Sequence, residues 1–483
     1  MPDRPNMLIV MSDHERADVL LPGSPCPTPH ADRLAAQGIR FDQAYTAAAH
    51  CCPARASFMT GIFPSRHGVF NNVMNPTALH RGLYPGVRTW SEALAAQGYR
   101  MRFTGKWHVS SEEGPEARGW TTFGQVTATG YSPRHTWDQP APSRQQRERN
   151  LLKSVWAPRN GWPDVLLCGI SKGRMEDTAE YRQTQDAIEE LKRLSQEDTP
   201  WCLYVGWSGP HDPYVVPEPW ASLVDPRTVE LPLSYGDDLM DRPAIYRRQK
   251  QLWDQLSPDD VRQAIACFWG YCAMLDHLFG AIVGTLEEAG QGQNTIVIRT
   301  SDHGDLLGAH GLFLKGIPPY EEAYKVPLIV RWPAGIRQPG RTCRSIVQLM
   351  DLGPTLLEAA GAPALEPCDA QSLMPIFANQ EPDGERQELY CQMNGVELYY
   401  TQRIMRVGRY KYVFNGFDFD ELYDLEEDPY ERRNLIADPE LAPVRRMLLE
   451  RLWEWAKKTN DFIDNAYPTV GLVPLGPHPE LRR

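Results

Sequence analysis

Long apolar runs are missing from this 483-residue sequence. No uninterrupted stretch approaches the roughly 20 apolar residues that a membrane-spanning helix needs. The N-terminal segment leads into a short apolar run at residues 7–11, which lacks the length and the small-residue cleavage site of a secretory signal. We therefore expect a cytoplasmic protein with no membrane partner.

A disulfide framework and a zinc-binding cysteine pattern are also missing. The ten cysteines are scattered, no CxxC pair occurs, and Cys51-Cys52 is the one tight spacing. In a chain of this size, such scattering predicts small buried core residues rather than cross-links.

An excess of positive charge is missing as well. The sequence has 62 acidic and 50 basic residues, which gives a net charge of −12 at pH 7. Nucleic acids and anionic membranes both require a basic surface, so neither is expected as a partner. If the substrate is an anion, a local cluster of basic residues must attract it.

Strand-like and helix-like segments alternate through most of the chain. The apolar run at residues 7–11 is typical of a buried strand, and a predicted helix at residues 32–37 ends at Gly38 before an extended pattern resumes. The same order recurs at residues 91–104 and 286–300. These βα units predict an α/β fold with a large, mostly parallel sheet between helices.

Two segments depart from this alternation. Residues 126–171 are rich in Pro, Arg, Gln and Trp, which predicts an insertion or long surface loop, either a plain excursion or a wall of a substrate pocket. Residues 361–368 are a linker with two prolines. Because the chain is too long for one compact core, we predict a catalytic domain of residues 1–365 and a C-terminal subdomain of residues 366–483.

The predicted subdomain is a small antiparallel sheet with one covering helix. Its short strands are predicted at residues 389–392, 398–400, 405–407 and 410–413, and its amphipathic helix at residues 441–457.

Metal-binding, basic or proton-transferring residues follow four of the predicted strands. They are Asp13-His14 after residues 7–11, Lys106 and His108 after residues 99–104, His211 after residues 201–207, and Asp302-His303 after residues 295–300. Ligands gather at the carboxyl ends of strands in an open α/β sheet. Each Asp-His pair offers a carboxylate and an imidazole, so the pairs predict two halves of one divalent-metal site.

The stretch CCPARASFMTG, residues 51–61, has features of a reactive site. Pro53 predicts a turn that enters a helix, which places the Cys51 side chain beside unpaired backbone N–H groups. That environment favours an anion or a nucleophile that attacks one.

The same stretch resembles the signature of the formylglycine-dependent sulfatases, C-x-P-x-R followed by T-G. Cys51, Pro53 and Arg55 match the fixed positions, and Thr60-Gly61 closes the pattern. The resemblance implies an alkaline-phosphatase-like fold. It also implies that a formylglycine-generating enzyme oxidises Cys51 to formylglycine, whose hydrated aldehyde is the nucleophile.

The resemblance implies roles for further residues. Arg55, Lys106 and Lys315 would hold anionic oxygens, His108 would act on the formylglycine hydroxyl, and His211 with Lys315 would protonate the leaving alcohol. One divalent ion would be bound by Asp13, His14, Cys51, Asp302 and His303. Sulfatases usually have Asp-Asp and Asp-Asn at these pairs and bind calcium. With His in both second positions, Ca²⁺ and Mn²⁺ are both open, and so is direct ligation by His14.

The implied function is hydrolysis of aryl or carbohydrate sulfate esters, with a small molecule or saccharide as substrate. One alternative is a phosphonate monoester or phosphodiester hydrolase that uses the same nucleophile, and another is a catalytically silent binding protein. The alcohol half of the substrate stays open, as does a homo-oligomeric state. The aromatic residues that could stack on an aryl group or sugar ring are Trp107, Trp137, Tyr214 and Trp332.

Overall fold

The computed structural model of the protein describes residues 4–75, 78–127, 143–159, 163–396, 398–469, 471–473 and 475–477. Its strands are β1 (Asn6–Asp13), β2 (Ile39–Phe41), β3 (Ala44–Tyr45), β4 (Arg100–Lys106), β5 (Thr121–Thr127), β6 (Leu151–Ala157), β7 (Val165–Ser171), β8 (Trp201–Pro210), β9 (Tyr214–Pro217), β10 (Thr295–Ser301), β11 (Leu328–Arg331), β12 (Arg341–Cys343), β13 (Val347–Gln348), β14 (Glu388–Met393), β15 (Gln402–Val407), β16 (Tyr410–Asn415) and β17 (Glu421–Asp424). Its α-helices are α1 (Pro29–Ala36), α2 (Cys51–Thr60), α3 (Pro64–His67), α4 (Trp90–Ala96), α5 (Arg144–Glu148), α6 (Ala179–Leu194), α7 (Ala244–Trp253), α8 (Pro258–Glu288), α9 (Glu321–Tyr324), α10 (Leu352–Ala359), α11 (Met374–Phe377) and α12 (Ala442–Lys458).

An eight-stranded sheet with the order β12-β2-β11-β10-β1-β8-β4-β5 forms the centre of the larger part of the molecule. Strands β10, β1, β8, β4 and β5 run parallel to one another, and β11 is antiparallel to both of its neighbours. The predicted α/β fold with a mostly parallel sheet is confirmed.

Helices cover both faces of this sheet and create two hydrophobic cores. Leu8 and Val10 of β1 point into a core closed by α1, α6 and α8. Met7 and Ile9 point into the opposite core, which is closed by α2, α4 and α10. Both faces of the strand are therefore buried, which explains why the sequence of β1 is a continuous apolar run rather than an alternating one.

The longest helix, α8, is buried among these elements. It is long and apolar enough to cross a membrane, yet 72% of its most apolar window is buried inside the protein. Pro258 occupies its first turn, and the Ser257 side chain accepts a hydrogen bond from the backbone N–H of Asp260. This burial is typical of a core helix.

The region predicted as an insertion or long loop contains regular structure. β6 and β7 pair antiparallel, and β7 pairs in parallel with β9, which gives a three-stranded sheet. The loop prediction is therefore wrong for the described residues 143–159 and 163–171. The hydrophobic periodicity of this region is weak because the first half of β6 is largely exposed, with Leu152 at 63%. Trp137 lies outside the described residues.

The C-terminal part is the predicted antiparallel sheet, with the order β14-β15-β16-β17, and α12 packs against β15 and β16. Residues 398–400 form no strand, contrary to the prediction, because Leu398 and Tyr399 face solvent, with exposures of 73% and 44%. β17 is a strand that the pattern did not predict. Its ends, Glu421 and Asp424, are buried polar residues, so the sequence has no apolar run long enough to predict a buried strand.

The two predicted domains share a hydrophobic cluster. Ala47, Phe63 and Met350 from the larger part pack with Tyr390 and Leu448 from the smaller one. The boundary at residue 365 remains a prediction.

Candidate active site

The strand order β10-β1-β8-β4 places four parallel carboxyl ends side by side. β1 ends at Asp13, β4 at Lys106, β8 at Pro210 and β10 at Ser301. His14, His108, His211 and Asp302-His303 follow these ends directly or within two residues. The groups that the sequence predicted as one site therefore meet at one edge of the sheet.

Helix α2 brings position 51 to the same edge. The helix begins at Cys51, immediately after the extended residue His50, and ends at Gly61, whose φ of 72° favours glycine. Cys51 is only 2% exposed. Its Sγ lies 3.5 Å from Oδ1 of Asp13 and 3.2 Å from Nε2 of His303.

This thiol belongs to two overlapping sets of donor atoms. Asp13, Cys51, Asp302 and His303 each place one donor atom within 4.8 Å of the others, and so do Asp13, His14, Cys51 and His211. His303 donates its Nδ1–H to the carbonyl of Gly304 over 2.8 Å, which leaves Nε2 as an acceptor facing the cluster. Among the residues that the structure describes, the buried Nε2 of His14 has no hydrogen-bond partner. Carboxylates and imidazoles with unprotonated nitrogens fit a single divalent cation.

Two cations are buried against these donors. Arg55 donates from Nε to Oδ2 of Asp302 over 2.7 Å, and from Nη1 to the carbonyl of Lys106 over 2.9 Å. The Lys106 ammonium donates to the Asp13 carboxylate. Nη2 of Arg55 is buried and has no partner in the described ranges, so one guanidinium nitrogen is still available for a ligand.

The site stabilises negative charge at position 51. Burial raises the pKa of the Cys51 thiol, but the nearby ammonium groups of Lys106 and Lys315 outweigh it and lower that pKa well below its usual range. Position 51 therefore lies in a positive potential that also suits the oxygens of an anionic substrate.

His108 is arranged as a base. It is 8% exposed, its backbone φ is 56°, and its Nδ1 has no hydrogen-bond partner. Burial and then the charge of Lys106 lower the pKa of His108 to about 4. The imidazole is therefore neutral at pH 7 and can accept a proton.

His211 and Lys315 form a pair at the more exposed side of the site. Nζ of Lys315 lies 3.0 Å from Nε2 of His211, which is within hydrogen-bond distance. Burial and Lys315 lower the pKa of His211, but Asp13 and Asp212 outweigh them and raise it to about 10. The His211 side chain is 31% exposed. The pair therefore holds a proton where a leaving group can receive it.

Asp305 is a residue of this site that the sequence reasoning missed. Its Oδ2 accepts hydrogen bonds from Nδ1 of His14 over 3.0 Å and from the Tyr214 hydroxyl over 2.8 Å. The one signal in the sequence was its position two residues after His303.

A buried ion pair behind the strand ends was also missed. Arg299 donates to Glu15 over 2.5 Å and to the Ser12 hydroxyl over 3.1 Å. These contacts join β10 to Ser12 near the end of β1 and to Glu15, two residues after that strand.

Two of the aromatic residues considered for stacking have structural contacts. Trp107 is buried and donates its indole N–H to the carbonyl of Glu113 over 2.9 Å. Tyr214 is buried against Asp305 and packs edge-on to Phe268. Neither ring is exposed for an alcohol group to stack on it.

Comparison with known proteins gives a consistent result. The model of the sulfatase family matches residues 5–362, and that of the C-terminal region of N-sulphoglucosamine sulphohydrolase matches residues 308–458. The uncharacterized sulfatase YidJ of Escherichia coli K12 is 29% identical over 95% of this chain and 88% of its own. The choline-sulfatase of Rhizobium meliloti is 30% identical over 92% of this chain and 85% of its own.

Among solved structures, the phosphonate monoester hydrolase of Silicibacter pomeroyi superposes with a TM-score of 0.77 at 22% identity. The match covers 95% of this chain and 96% of that one, which shows a common fold. The family model spans most of the chain, and the relatives align along nearly all of it. The chain belongs to the sulfatase family and is a sulfuric ester hydrolase.

Proposed function

We propose that this enzyme hydrolyses sulfate monoesters of small molecules or saccharides with a formylglycine nucleophile made from Cys51. The observation that supports this most is the position of Cys51 at the start of α2, between two buried carboxylates and the cations Arg55 and Lys106. A plain buried core thiol would not need such surroundings. The choline-sulfatase among the relatives supports a small sulfate ester as substrate.

One divalent cation, Ca²⁺ or Mn²⁺, completes the proposed site. Asp13, Asp302, His303 and residue 51 would hold it, and His14 is a further donor. When bound, the ion lowers the pKa of the nucleophilic hydroxyl and offsets the charge that the transition state accumulates.

The chain's own cations hold the sulfuryl group. The free Nη2 of Arg55 and the ammonium groups of Lys106 and Lys315 are donors for its oxygens. Since these groups are ordered before substrate arrives, little reorganisation is needed as charge moves to the leaving oxygen.

Two proton transfers by the chain's own residues complete the scheme. The hydrated aldehyde supplies two hydroxyls on one carbon. The first loses its proton to water, and its oxygen bonds to sulfur. Deprotonation of the second later breaks the carbon–oxygen bond and releases sulfate. The pair of His211 and Lys315 gives its proton to the alcohol oxygen as the sulfur–oxygen bond to the alcohol breaks. Neutral His108 removes the proton of the second hydroxyl, which restores the aldehyde, and water then hydrates it.

Maturation must take place before the chain folds. Because Cys51 is 2% exposed in the folded protein, a formylglycine-generating enzyme has no access to its thiol there. Such an enzyme is therefore a partner of the unfolded or nascent chain.

The proposal is tested by intact mass and peptide mapping at position 51, combined with turnover of an aryl sulfate. We expect activity to rise in proportion to the modified fraction as co-expression of a maturation enzyme is varied. Activity that is independent of that fraction would contradict the proposal. Protein with unmodified Cys51, purified in the same way, is the control.

A phosphonate monoester or phosphodiester hydrolase is the second candidate. The imidazoles of His14 and His303 replace the oxygen donors that the sulfatase pattern usually has. This replacement favours the second candidate. Comparison of kcat/KM for an aryl sulfate and a matched aryl phosphonate decides between them. We expect the sulfate to be preferred, and a higher value for the phosphonate would establish the second candidate.

A further inference from the structure

The ring of His14 is fixed by its neighbours on several sides. Its Nδ1 lies 3.0 Å from Oδ2 of Asp305. One face stacks on His211 with ring centroids 4.1 Å apart, and His303 meets the ring edge-on at 4.4 Å. The residue is fully buried, and its Nε2 has no hydrogen-bond partner within the described part of the chain. Burial of an unpaired ring nitrogen is costly unless a ligand satisfies it.

Asp305 determines which nitrogen of His14 carries the hydrogen. Its Oδ1 accepts from the backbone N–H groups of Leu307 at 2.8 Å and Leu314 at 3.0 Å, and its Oδ2 accepts from the Tyr214 hydroxyl at 2.8 Å. With three other donors directed at it, the carboxylate is an acceptor toward His14 as well. Nδ1 of His14 must then donate, which leaves the lone pair on Nε2.

We propose that His14 is a direct metal ligand through Nε2 and that Asp305 is the positioning residue that fixes the required tautomer. One ring nitrogen of His14 lies within 4.8 Å of donor atoms of Asp13 and Cys51, and Nε2 is the nitrogen that Asp305 leaves free. This inference rests on the proposed function in one respect, because both place a divalent cation beside residue 51. A carboxylate behind a histidine ligand typically orients the ring and raises its basicity.

The inference also predicts which metal the site prefers. His303 is held in the same way, since its Nδ1–H donates to the carbonyl of Gly304. Two imidazoles with preset lone pairs favour a first-row transition ion such as Mn²⁺, whereas Ca²⁺ prefers a shell of oxygen ligands. The site should therefore bind Mn²⁺ more tightly than Ca²⁺.

The substitution Asp305→Asn should change the tautomer of His14 and keep the backbone hydrogen bonds that residue 305 accepts. The backbone N–H groups of Leu307 and Leu314 keep the amide oxygen in the place of Oδ1, so the amide NH₂ takes the place of Oδ2. It then donates to Nδ1 of His14, the hydrogen moves to Nε2, and Nε2 can no longer bind a metal. Tyr214→Phe is the matched control, because it removes another partner of Oδ2 without changing the tautomer.

The experiment is a Mn²⁺ titration of the full-length protein with unmodified Cys51, followed by electron paramagnetic resonance. We expect Asp305→Asn to weaken Mn²⁺ binding roughly 10- to 100-fold, and Tyr214→Phe to leave it nearly unchanged. In a His14→Gln background, Asp305→Asn should cause no further loss. Unchanged affinity in Asp305→Asn, or an equal loss in the His14→Gln background, would overturn the proposal.

A second measurement does not depend on the folding of Asp305→Asn. His14→Asp replaces the imidazole with a carboxylate and should shift the ratio of Mn²⁺ to Ca²⁺ affinity toward Ca²⁺ by roughly tenfold or more. An unchanged ratio would exclude His14 as a ligand. Both measurements are of binding alone, so a failure to hydrolyse sulfate esters would count against the proposed function and leave this inference standing.

Discussion

At the residue scale, the proposed chemistry depends on how many hydroxyls position 51 offers. Cys51→Ser provides one hydroxyl, which can take up a sulfuryl group once but has no second hydroxyl to expel it. Water would then have to attack sulfur in a site where residue 51 is 2% exposed. We expect steady-state kcat at least ~10³-fold below that of the matured enzyme. Peptide mapping should detect sulfate on position 51, and full steady-state turnover would contradict the scheme.

Lys315 has a role that depends on the leaving group. Because its ammonium is one of the two proposed proton donors, beside His211, its loss should matter most for alcohols that cannot depart as anions. We expect Lys315→Met to lower kcat/KM by about 10²- to 10⁴-fold for alkyl sulfates. The loss should be much smaller for an aryl sulfate with a strongly electron-withdrawing ring. A plot of log kcat/KM against leaving-group pKa measures this, and equal losses across the series would argue against proton donation.

At the scale of elements, the site depends on how closely β4 and β8 approach each other beside Lys106. Gly105 has φ of 92°, and a Cβ there would lie 1.9 Å from the carbonyl oxygen of Gly206 on β8. Gly105→Ala must therefore push the strands apart next to Lys106. We expect a loss of roughly 3 kcal/mol or more in the free energy of unfolding, together with lower activity.

A matched control for that variant is Gly290→Ala. Gly290 also has positive φ, at 70°, but a Cβ there meets no atom within 4 Å. We expect a cost of only about 1 kcal/mol, from the backbone conformation alone, and unchanged activity. Equal losses of stability in the two variants, measured by urea unfolding, would show that the close approach of the strands is unimportant.

At the scale of the whole molecule, buried acids set the pH dependence of stability. Burial raises the pKa of Asp420 to about 7, well above the value of roughly 3.9 in an unfolded chain. Between these values the folded state binds more protons at this group than the unfolded state, so the contribution of Asp420 to stability is greatest at acidic pH and falls as pH rises toward 7. Asp420 accepts from the backbone N–H of Asn415 over 2.9 Å, and asparagine can keep that contact.

We therefore expect Asp420→Asn to flatten this dependence. The midpoint of thermal unfolding should fall by a few degrees less in the variant than in the parent between about pH 5 and pH 7.5. Asp225→Asn is the control, because the side-chain hydrogen bond from Arg227 lowers the pKa of that exposed acid to about 2, below the tested range. Parallel curves for Asp420→Asn and the parent protein would contradict the assignment.

The amino-acid sequence by itself determined the chemistry and the main fold. Apolar runs ended by glycine predicted the βα units, and parallel strands must present their carboxyl ends at one edge. Asp13, His108, His211 and Asp302 therefore had to be neighbours once the strand order was right. The motif at Cys51 is local in the chain, so its helix start could be predicted from Pro53.

Contacts between distant segments were decided only by the tertiary structure. Asp305 and His14 are 291 residues apart in the chain, and no local pattern shows that one orients the other. The pairing of β7 with β9 was likewise not predictable, because the sequence of β7 lacks a clear hydrophobic periodicity. Local patterns report burial and backbone preference, whereas the direction of a side chain's lone pair depends on what packs against it. For that reason the sequence could predict candidate metal donors, and only the fold could show which nitrogen of His14 lacks a hydrogen-bond partner among the described residues.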